Sequence, residues 1–351
     1  MHVRKGSAMN AIQVGVGVHG LRWVHWLKQT PGIRVVAMVD VDRRALDTAA
    51  REGGYRPDRC YTSLQQALRK HPADALVCVT PPSYHLATIG AALKQGMHVI
   101  SEKPMADSLA SCRKILRQLD RSGKRCVISQ NFRYRPAMYT LADAVRKGVI
   151  GKIGQVKIDF YLGFDFGGGF RHEMKHPVIV DMAVHHFDLV RFITGLDAIS
   201  VAGMSWNPHW SNYAGDCSSN VVFEMENGAH AVYNASWCAK GQYSDWNGNW
   251  LIEGDNGALE YRNGVITLHK TPGLYTVKQT RPVPIRRMKY EEQLYILREF
   301  KNALAQNREP ECSAWDNIRS IAMVYAAVKA LDCGRKIPVI DAVTERMLHS
   351  S

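Results

Sequence analysis

The sequence predicts an α/β protein in two parts. The first is an N-terminal doubly wound parallel sheet. The second is a domain built on a largely antiparallel open sheet. Three observations carry this reading. Short apolar runs alternate with helical patterns from residue 9 to about 130, as in parallel strands joined by crossover helices. A glycine triplet, Gly15-x-Gly17-x-x-Gly20, stands where the first apolar run meets the first helical pattern. After about residue 150 the hydrophobic period becomes two, the mark of strands with one covered face. At 351 residues the chain suits two domains and can bury a substantial core.

The elements follow in order. An apolar strand from Ile12 runs into the turn at Gly15, residues 21–29 read as a helix closed by Thr30-Pro31-Gly32, and 33–39 as a second strand ending in Asp40. Asp40 stands twenty residues after Gly20. Strand, triplet, helix, strand and acid together form the dinucleotide-binding fingerprint in its required context. Gly15 allows the tight turn, Gly17 lets the backbone approach a pyrophosphate, and Gly20 lets the helix pack on the strand. The helix N-terminus offers N–H groups and a positive dipole end to phosphates. A carboxylate at Asp40 accepts from both ribose hydroxyls and repels a 2′-phosphate, which favours NAD. Arg43 and Arg44 follow closely and leave NADP possible.

The alternation continues with helices over 44–51, 64–70, 84–95 and 108–121 and strands over 60–61, 75–79, 97–101 and 125–129. Ser108 is a candidate N-cap and Gly123 a candidate stop. The strand over 97–101 runs into Glu102-Lys103-Pro104. A lysine at the carboxyl end of a buried parallel strand lies in the crevice where open α/β sheets bind ligands. There its ammonium can hold a substrate hydroxyl or tune a proton transfer.

In the second part, Val156, Ile158, Phe160 and Leu162 alternate with polar neighbours, as do Val221, Phe223 and Met225. Short strands follow near 251–252, 258–261 and 265–269, and Asn263-Gly264 is a two-residue hairpin signal. Helices are expected over 179–194, 291–306 and 316–332 within this part. The expected division is a disordered leader over 1–8 with Met9 as the functional start, a nucleotide-binding domain over 9–130, a substrate-binding and oligomerisation domain over 131–342, and a tail over 343–351.

Asp181 and His185 are four apart, so one helix places them on one face, with Asp188 close to it and His186 turned about 100° away. A carboxylate that orients an imidazole gives a general base with a pKa near working pH. A competing motif, His172-Glu173-Met174-Lys175-His176, has the form of the zinc-protease signature. That signature requires a helix. Here three glycines precede it and Pro177 follows, so a loop and no metal site are expected.

Composition narrows the class. The chain is 46% hydrophobic and 22% charged, with a formal net charge of +13. The basic residues are thinly spread and form no motif of basic and aromatic residues, which argues against nucleic acid and suits a surface that attracts anionic ligands. No apolar run approaches the ~20 residues of a membrane span. None of the eight cysteines forms a C-x-x-C pair, so a reduced cytoplasm is expected, with the cysteines as small core hydrophobes.

Four motifs occur together in a fixed order: Gly15-Val16-Gly17-Val18-His19-Gly20, Thr80-Pro81-Pro82-Ser83-Tyr84-His85, Glu102-Lys103-Pro104, and Asp181-x-x-x-His185-x-x-Asp188. In this the chain resembles the Gfo/Idh/MocA oxidoreductases, similar to inositol dehydrogenase and glucose–fructose oxidoreductase, over residues 11–339. The resemblance implies a Rossmann domain and an open-sheet domain that shapes the substrate pocket and forms a homodimer or homotetramer. It implies that Lys103 and His185 are catalytic and Asp181 assists. It implies that Gly15, Gly17, Val18, His19, Gly20, Asp40, Arg43, Thr80, Pro81, His85, Glu102 and Lys103 serve the cofactor. One departure stands out. Members often carry a triple glycine directly before the helix with the Asp and His; here His176-Pro177-Val178 occupies that place and the glycines lie earlier, at 167–169.

The expected reaction moves a hydride between a hydroxyl-bearing carbon of a sugar, cyclitol or sugar derivative and nicotinamide. Trp206, Trp210, Trp237, Trp246, Trp250 and Tyr243 are candidates to stack on sugar faces. Two alternatives stand beside it: a glycoside hydrolase that oxidises its substrate transiently with bound NAD, and a nucleotide-binding regulator without turnover.

Overall fold

A computed structural model describes residues 8–339 except 242, 272 and 275. Residues 1–7 of the expected leader and all of the expected tail lie outside the described residues. The elements run β1 (Met9–Val14), α1 (Val18–Gln29), β2 (Ile33–Val39), α2 (Arg43–Gly53), β3 (Cys60–Tyr61), α3 (Leu64–Lys70), β4 (Ala75–Cys78), α4 (Pro82–Lys94), β5 (His98–Ser101), α5 (Leu109–Ser122) and β6 (Cys126–Ile128). Then come α6 (Pro136–Arg146), β7 (Ile153–Tyr161), α7 (Phe170–Glu173), α8 (Ala183–Thr194), β8 (Ala198–Trp206), β9 (Ser218–Met225), β10 (His230–Ser236), β11 (Asn249–Gly254), β12 (Gly257–Arg262), β13 (Val265–Lys270) and β14 (Gln279–Pro282). The chain closes with α9 (Glu292–Ala305), α10 (Ala314–Cys333) and β15 (Ile337–Pro338).

The chain divides into two compact units. One holds the chain through Asn131 together with Tyr290–Ile318; the other holds Phe132–Lys289 and the chain from Arg319 on. The first unit carries a six-stranded sheet in the order β3-β2-β1-β4-β5-β6. Each pairing is parallel. The order reverses between β1 and β4, the point at which doubly wound sheets open a ligand crevice. β4 is buried along its whole length and so are Val99, Ile100 and Ser101 of β5, as expected of strands covered by helices on both faces. Ser108 caps α5 by accepting from Ser111 N–H, and Gly123 ends it at φ +62°.

The helix expected over 291–306 is present as α9, but it belongs to the first unit and not to the substrate part. Phe300 of α9 is fully buried and packs edge-on to His98 at 6.4 Å between ring centroids. Lys301 donates to the Pro31 carbonyl at the end of α1, and Arg125 pairs with Glu309 at 3.0 Å. Sequence distance hid this, because the contacts join residues more than 170 positions apart.

The second unit carries a nine-stranded sheet, β14-β13-β12-β11-β7-β10-β9-β8-β15. Only the β7/β10 pairing is parallel; the rest are antiparallel. Asn263 and Gly264 join β12 to β13 with φ +44° and +86°, the left-handed pair that a tight hairpin turn needs. α8 is buried nearly all round, and Phe187 packs edge-on to Phe223 and Tyr233 of the sheet at 4.7 and 5.2 Å. The helix expected over 179–194 is not uniform. Residues Val178–Met182 form a π-helical turn before α8 begins, so the four-residue spacing of Asp181 and His185 spans a change of helical period.

Candidate active site

In the first unit the glycine turn shows three different uses of glycine. A Cβ on Gly15 would stand 2.4 Å from the Val79 carbonyl oxygen, and one on Gly20 would stand 2.3 Å from the Gly15 carbonyl oxygen. A Cβ on Gly17 would meet nothing within 4 Å. The turn is packed against protein at two glycines and open at the third, as a pyrophosphate seat requires. The buried Gln13 ties the turn from below, donating to the carbonyls of Gly15 at 3.0 Å and Gly20 at 2.7 Å. Gly17 is the N-cap of α1 and supplies no side-chain acceptor, while Val18 beside it is 88% exposed. The first N–H groups of α1 are therefore left for a ligand. These residues fit a dinucleotide.

Asp40 follows β2 and is already engaged. One carboxylate oxygen accepts from Val16 N–H at 2.7 Å and the other from Asp42 N–H at 3.0 Å. Each oxygen keeps acceptor capacity for a ribose hydroxyl. Arg43 is turned along α2 to Asp47 at 3.1 Å.

Thr80 and Pro81 follow β4, and Lys103 follows β5, at the same sheet end as the turn after β1. His85 braces this region. It is fully buried, with Nε2 2.8 Å from the Thr80 carbonyl and Nδ1 3.0 Å from the Pro104 carbonyl. The imidazole thus holds the two loops together from behind. Lys103 itself is half-buried and joins Pro104 through a cis peptide. The neighbouring Glu102 is buried and accepts from three sides. His19 Nε2 lies 3.0 Å and the Trp23 indole N–H 2.8 Å from Oε1, and the Lys103 N–H donates to Oε2 at 3.0 Å. Burial pushes its pKa up, but the bonds from His19 and Trp23 and the charge of Lys103 hold it below the usual carboxylate value.

In the second unit the two adjacent histidines part company. His186 is fully buried, with Nδ1 2.9 Å from the Tyr233 hydroxyl and Nε2 3.1 Å from the Trp246 carbonyl. Burial pushes its pKa down to about 3. It is a neutral imidazole, donating from Nε2 and accepting at Nδ1. His185 is 6% exposed and stacks flat on Phe132, with centroids 4.2 Å apart and planes at 10°. The Arg135 guanidinium lies 3.3 Å from the Phe132 centroid and donates to Asn247 at 2.9 Å.

The carboxylates divide as well. Asp188, expected near the shared face, is buried. It takes both arms of Arg133 at 2.5 Å and the Ser320 hydroxyl at 2.7 Å. It is a structural anchor of α8. Asp181 accepts from Arg171 Nε at 2.6 Å, and that guanidinium also stacks on Phe166 and Phe170 at 4.7 and 4.6 Å. Phe132, Arg135 and Arg171 thus surround the candidate residues, and none was singled out from the sequence. They sit in segments without periodicity, and only the arginines in front of Pro136 and after the glycine run offered a signal.

The zinc-protease pattern dissolves in the structure. Its first residues lie in the four-residue α7, which ends before His176. His172 stacks on Tyr213 at 4.6 Å, whereas His176 bonds Asp332 at 2.9 Å. Of the six aromatic candidates, Trp237 and Trp250 are core residues at 1% exposure; Trp206, Trp210, Trp246 and Tyr243 are exposed on the second unit.

The profile of the oxidoreductase family with an NAD-binding Rossmann fold matches residues 9–130, and that of the GFO/IDH/MocA C-terminal domain matches residues 138–260. The chain belongs to the Gfo/Idh/MocA oxidoreductases. An uncharacterised protein, y4oX, from Sinorhizobium fredii is 30% identical over 93% of this chain and 95% of its own length. D-Apiose dehydrogenase of Paraburkholderia graminis is 25% identical over 92% of this chain and 88% of its own. An Agrobacterium radiobacter oxidoreductase, solved with NAD+, L-tartaric acid and magnesium, superposes with a TM-score of 0.85 at 20% identity, covering 95% of this chain and 99% of the other. Among the described residues no helix is long and apolar enough to cross a membrane.

Proposed function

We propose that this oxidoreductase is a dehydrogenase of a sugar, cyclitol or sugar derivative, using NAD, with Lys103 and His185 serving one substrate hydroxyl. The observation that carries the reading is the first unit's sheet end. The open glycine turn, Thr80 and Lys103 follow the carboxyl ends of β1, β4 and β5, three neighbouring strands beside the point where the order reverses. Similarity to D-apiose dehydrogenase supports a polyhydroxylated substrate.

NAD, when bound, supplies the hydride acceptor. Lys103 donates a hydrogen bond to the substrate oxygen and offsets the negative charge that grows there. His185, as a neutral imidazole, takes the hydroxyl proton. Its ring is held by the Phe132 face, which fixes its plane and leaves proton transfer to its edge. Asp181, steadied by Arg171, is assigned to offset the imidazolium charge. The comparisons lend the transient-oxidation hydrolase no support. The reading includes a homodimer or homotetramer assembled through the open sheet, in keeping with the exposed Ile199, Met204 and Val265 on its strands.

A panel of sugars, cyclitols and their acids, offered with NAD and NADP while reduced nicotinamide is followed, tests the reading. Net reduced cofactor from a polyhydroxylated substrate is expected. Turnover without net cofactor reduction on glycosides would favour the hydrolase, and cofactor binding without turnover across the panel would favour the regulator.

A further inference from the structure

We propose that Cys217 and Cys238 are an oxidisable pair that closes to an intrachain disulfide when the protein meets a hydroperoxide. Cys217 stands just before β9 and Cys238 two residues past β10, at the end where Ser218 pairs with Ser236. Trp237 N–H bonds the Cys217 carbonyl at 3.0 Å, which carries the ladder one pair further, to Cys217 and Trp237, with Cys238 next in the chain. The two sulfurs are 2.8 Å apart. A disulfide bond is ~2.0 Å long, so closure asks for a movement of less than about an ångström.

The surroundings differ from those of an inert core cysteine. Cys217 Sγ lies 3.2 Å from both Asn207 Oδ1 and Ser211 Oγ. Cys238 Sγ lies 3.6 Å from Ser218 Oγ and 3.5 Å from Ser236 Oγ. By contrast, Cys126 and Cys112 are buried, and their sulfurs have no cysteine partner at comparable distance among the described residues. The pair is also asymmetric. Cys217 is buried and Cys238 half-buried. Burial, reinforced by Cys238, pushes the Cys217 thiol up to about 12. Cys217 therefore suits the second, resolving position, and Cys238 the first encounter with oxidant.

The step balances with hydrogen peroxide as oxidant. The Cys238 sulfur, after losing its proton, attacks one peroxide oxygen. The O–O bond breaks, and the released hydroxide leaves as water with that proton. The sulfenic acid on Cys238 is then attacked by the Cys217 sulfur. The S–S bond forms, and the S–OH oxygen departs as water with the Cys217 proton. The two sulfurs lose two electrons in all, and these reduce the peroxide. The expectation that every cysteine is a passive core hydrophobe does not extend to this pair.

The sequence makes the test direct. No Lys or Arg lies between Arg191 and Lys240, so trypsin leaves both cysteines on one peptide. A glutamate-specific protease then cuts after Glu224 and Glu226, between them. After peroxide treatment of the full chain, the two fragments should remain joined until a dithiol is added. In Cys217→Ser, which keeps a hydroxyl for Asn207 and Ser211, no joined fragments should form and Cys238 should react with a sulfenic-acid-selective diketone. Fragments that separate without reductant, or that join to a different cysteine peptide, would overturn the proposal.

Discussion

The glycine turn after β1 and the segment entering α8 are built by different means. The turn is a backbone object. Its shape is enforced by carbonyls that would collide with any side chain at Gly15 or Gly20, and by Gln13 beneath it. The α8 entry is a side-chain object. It has a π-helical turn, an Asp181–Arg171 pair, an Asp188–Arg133 pair and a histidine laid flat on Phe132. Damage to the turn should therefore appear in binding and stability. Damage at the α8 entry should appear in turnover.

The largest effects are expected where chemistry is assigned. Lys103→Ala and His185→Ala should each lower turnover by at least ~100-fold, the low end for a lost acid–base group. NAD affinity, measured by calorimetry, should be largely kept. The loss in the double variant should be far less than the product of the two single losses, because both groups are assigned to one proton transfer. His186→Ala being inactive while His185→Ala stays near wild type would reverse the assignment of the base.

Next is acid lability from the buried imidazole of His186. Unfolded, it titrates near 6.5; folded, its pKa is about 3. Between those values the unfolded chain binds the extra proton, so stability is full above about pH 6.5 and falls as pH drops toward 3. The loss is on the order of 5 kcal/mol for this group at the acid end. His98, lowered to about 4 chiefly by burial, acts in the same direction. Denaturant titrations at a series of pH values should show the slope, and His186→Gln should flatten it. An unchanged slope would place the acid sensitivity elsewhere.

The glycines sharpen the contrast further. Gly20→Ala should cost about 1–3 kcal/mol of stability, as overpacked sites do. Gly17→Ala, with open space around its Cβ, should leave the melting temperature nearly unchanged and weaken NAD instead. Equal melting temperatures for the two would show that the turn yields more than its packing suggests. The smallest change is expected at Asp40. Asp40→Ala removes acceptors for the Val16 and Asp42 N–H groups and for the ribose. A hydrogen bond to a charged group is worth about 1.5 kcal/mol or more, so NAD should lose about tenfold relative to NADP. Wild-type protein that binds NADP as tightly as NAD would remove the basis for this.

The same contrast explains what could be read in the sequence. The turn after β1 was legible because each residue has a local reason at a fixed spacing. So was Asn263-Gly264, since few other pairs tolerate two left-handed residues. α6 carries one clear sequence signal, Pro136 at its first position. β8 was obscured by Gly203, whose Cβ would stand 2.3 Å from the Asn220 carbonyl oxygen; the glycine answers a close strand and not a turn. At the α8 entry the residues Val178-Ile179-Val180 carry no mark of a π-helical turn. The partner of Asp181 lies ten residues upstream, beyond the π-helical turn, and those of Asp188 lie 55 and 132 positions away, so no periodicity connects them. His186 was separated from His185 by helical geometry alone, since the α8 period holds from Ala183 onward.

One buried carboxylate gives the first unit a property beyond shape. Through one oxygen Glu102 grips His19 and Trp23 on α1; through the other it grips the Lys103 backbone. The helix that would receive the pyrophosphate and the residue that would hold the substrate oxygen therefore share a hydrogen-bonded tether. The expected consequence is that part of the free energy a dinucleotide gains by settling α1 is felt at Lys103, and by linkage that occupancy at Lys103 is returned to α1 in equal measure. Glu102→Gln keeps the side chain's size but weakens the grip, and the two affinities should then drift apart, each becoming less sensitive to the presence of the other ligand.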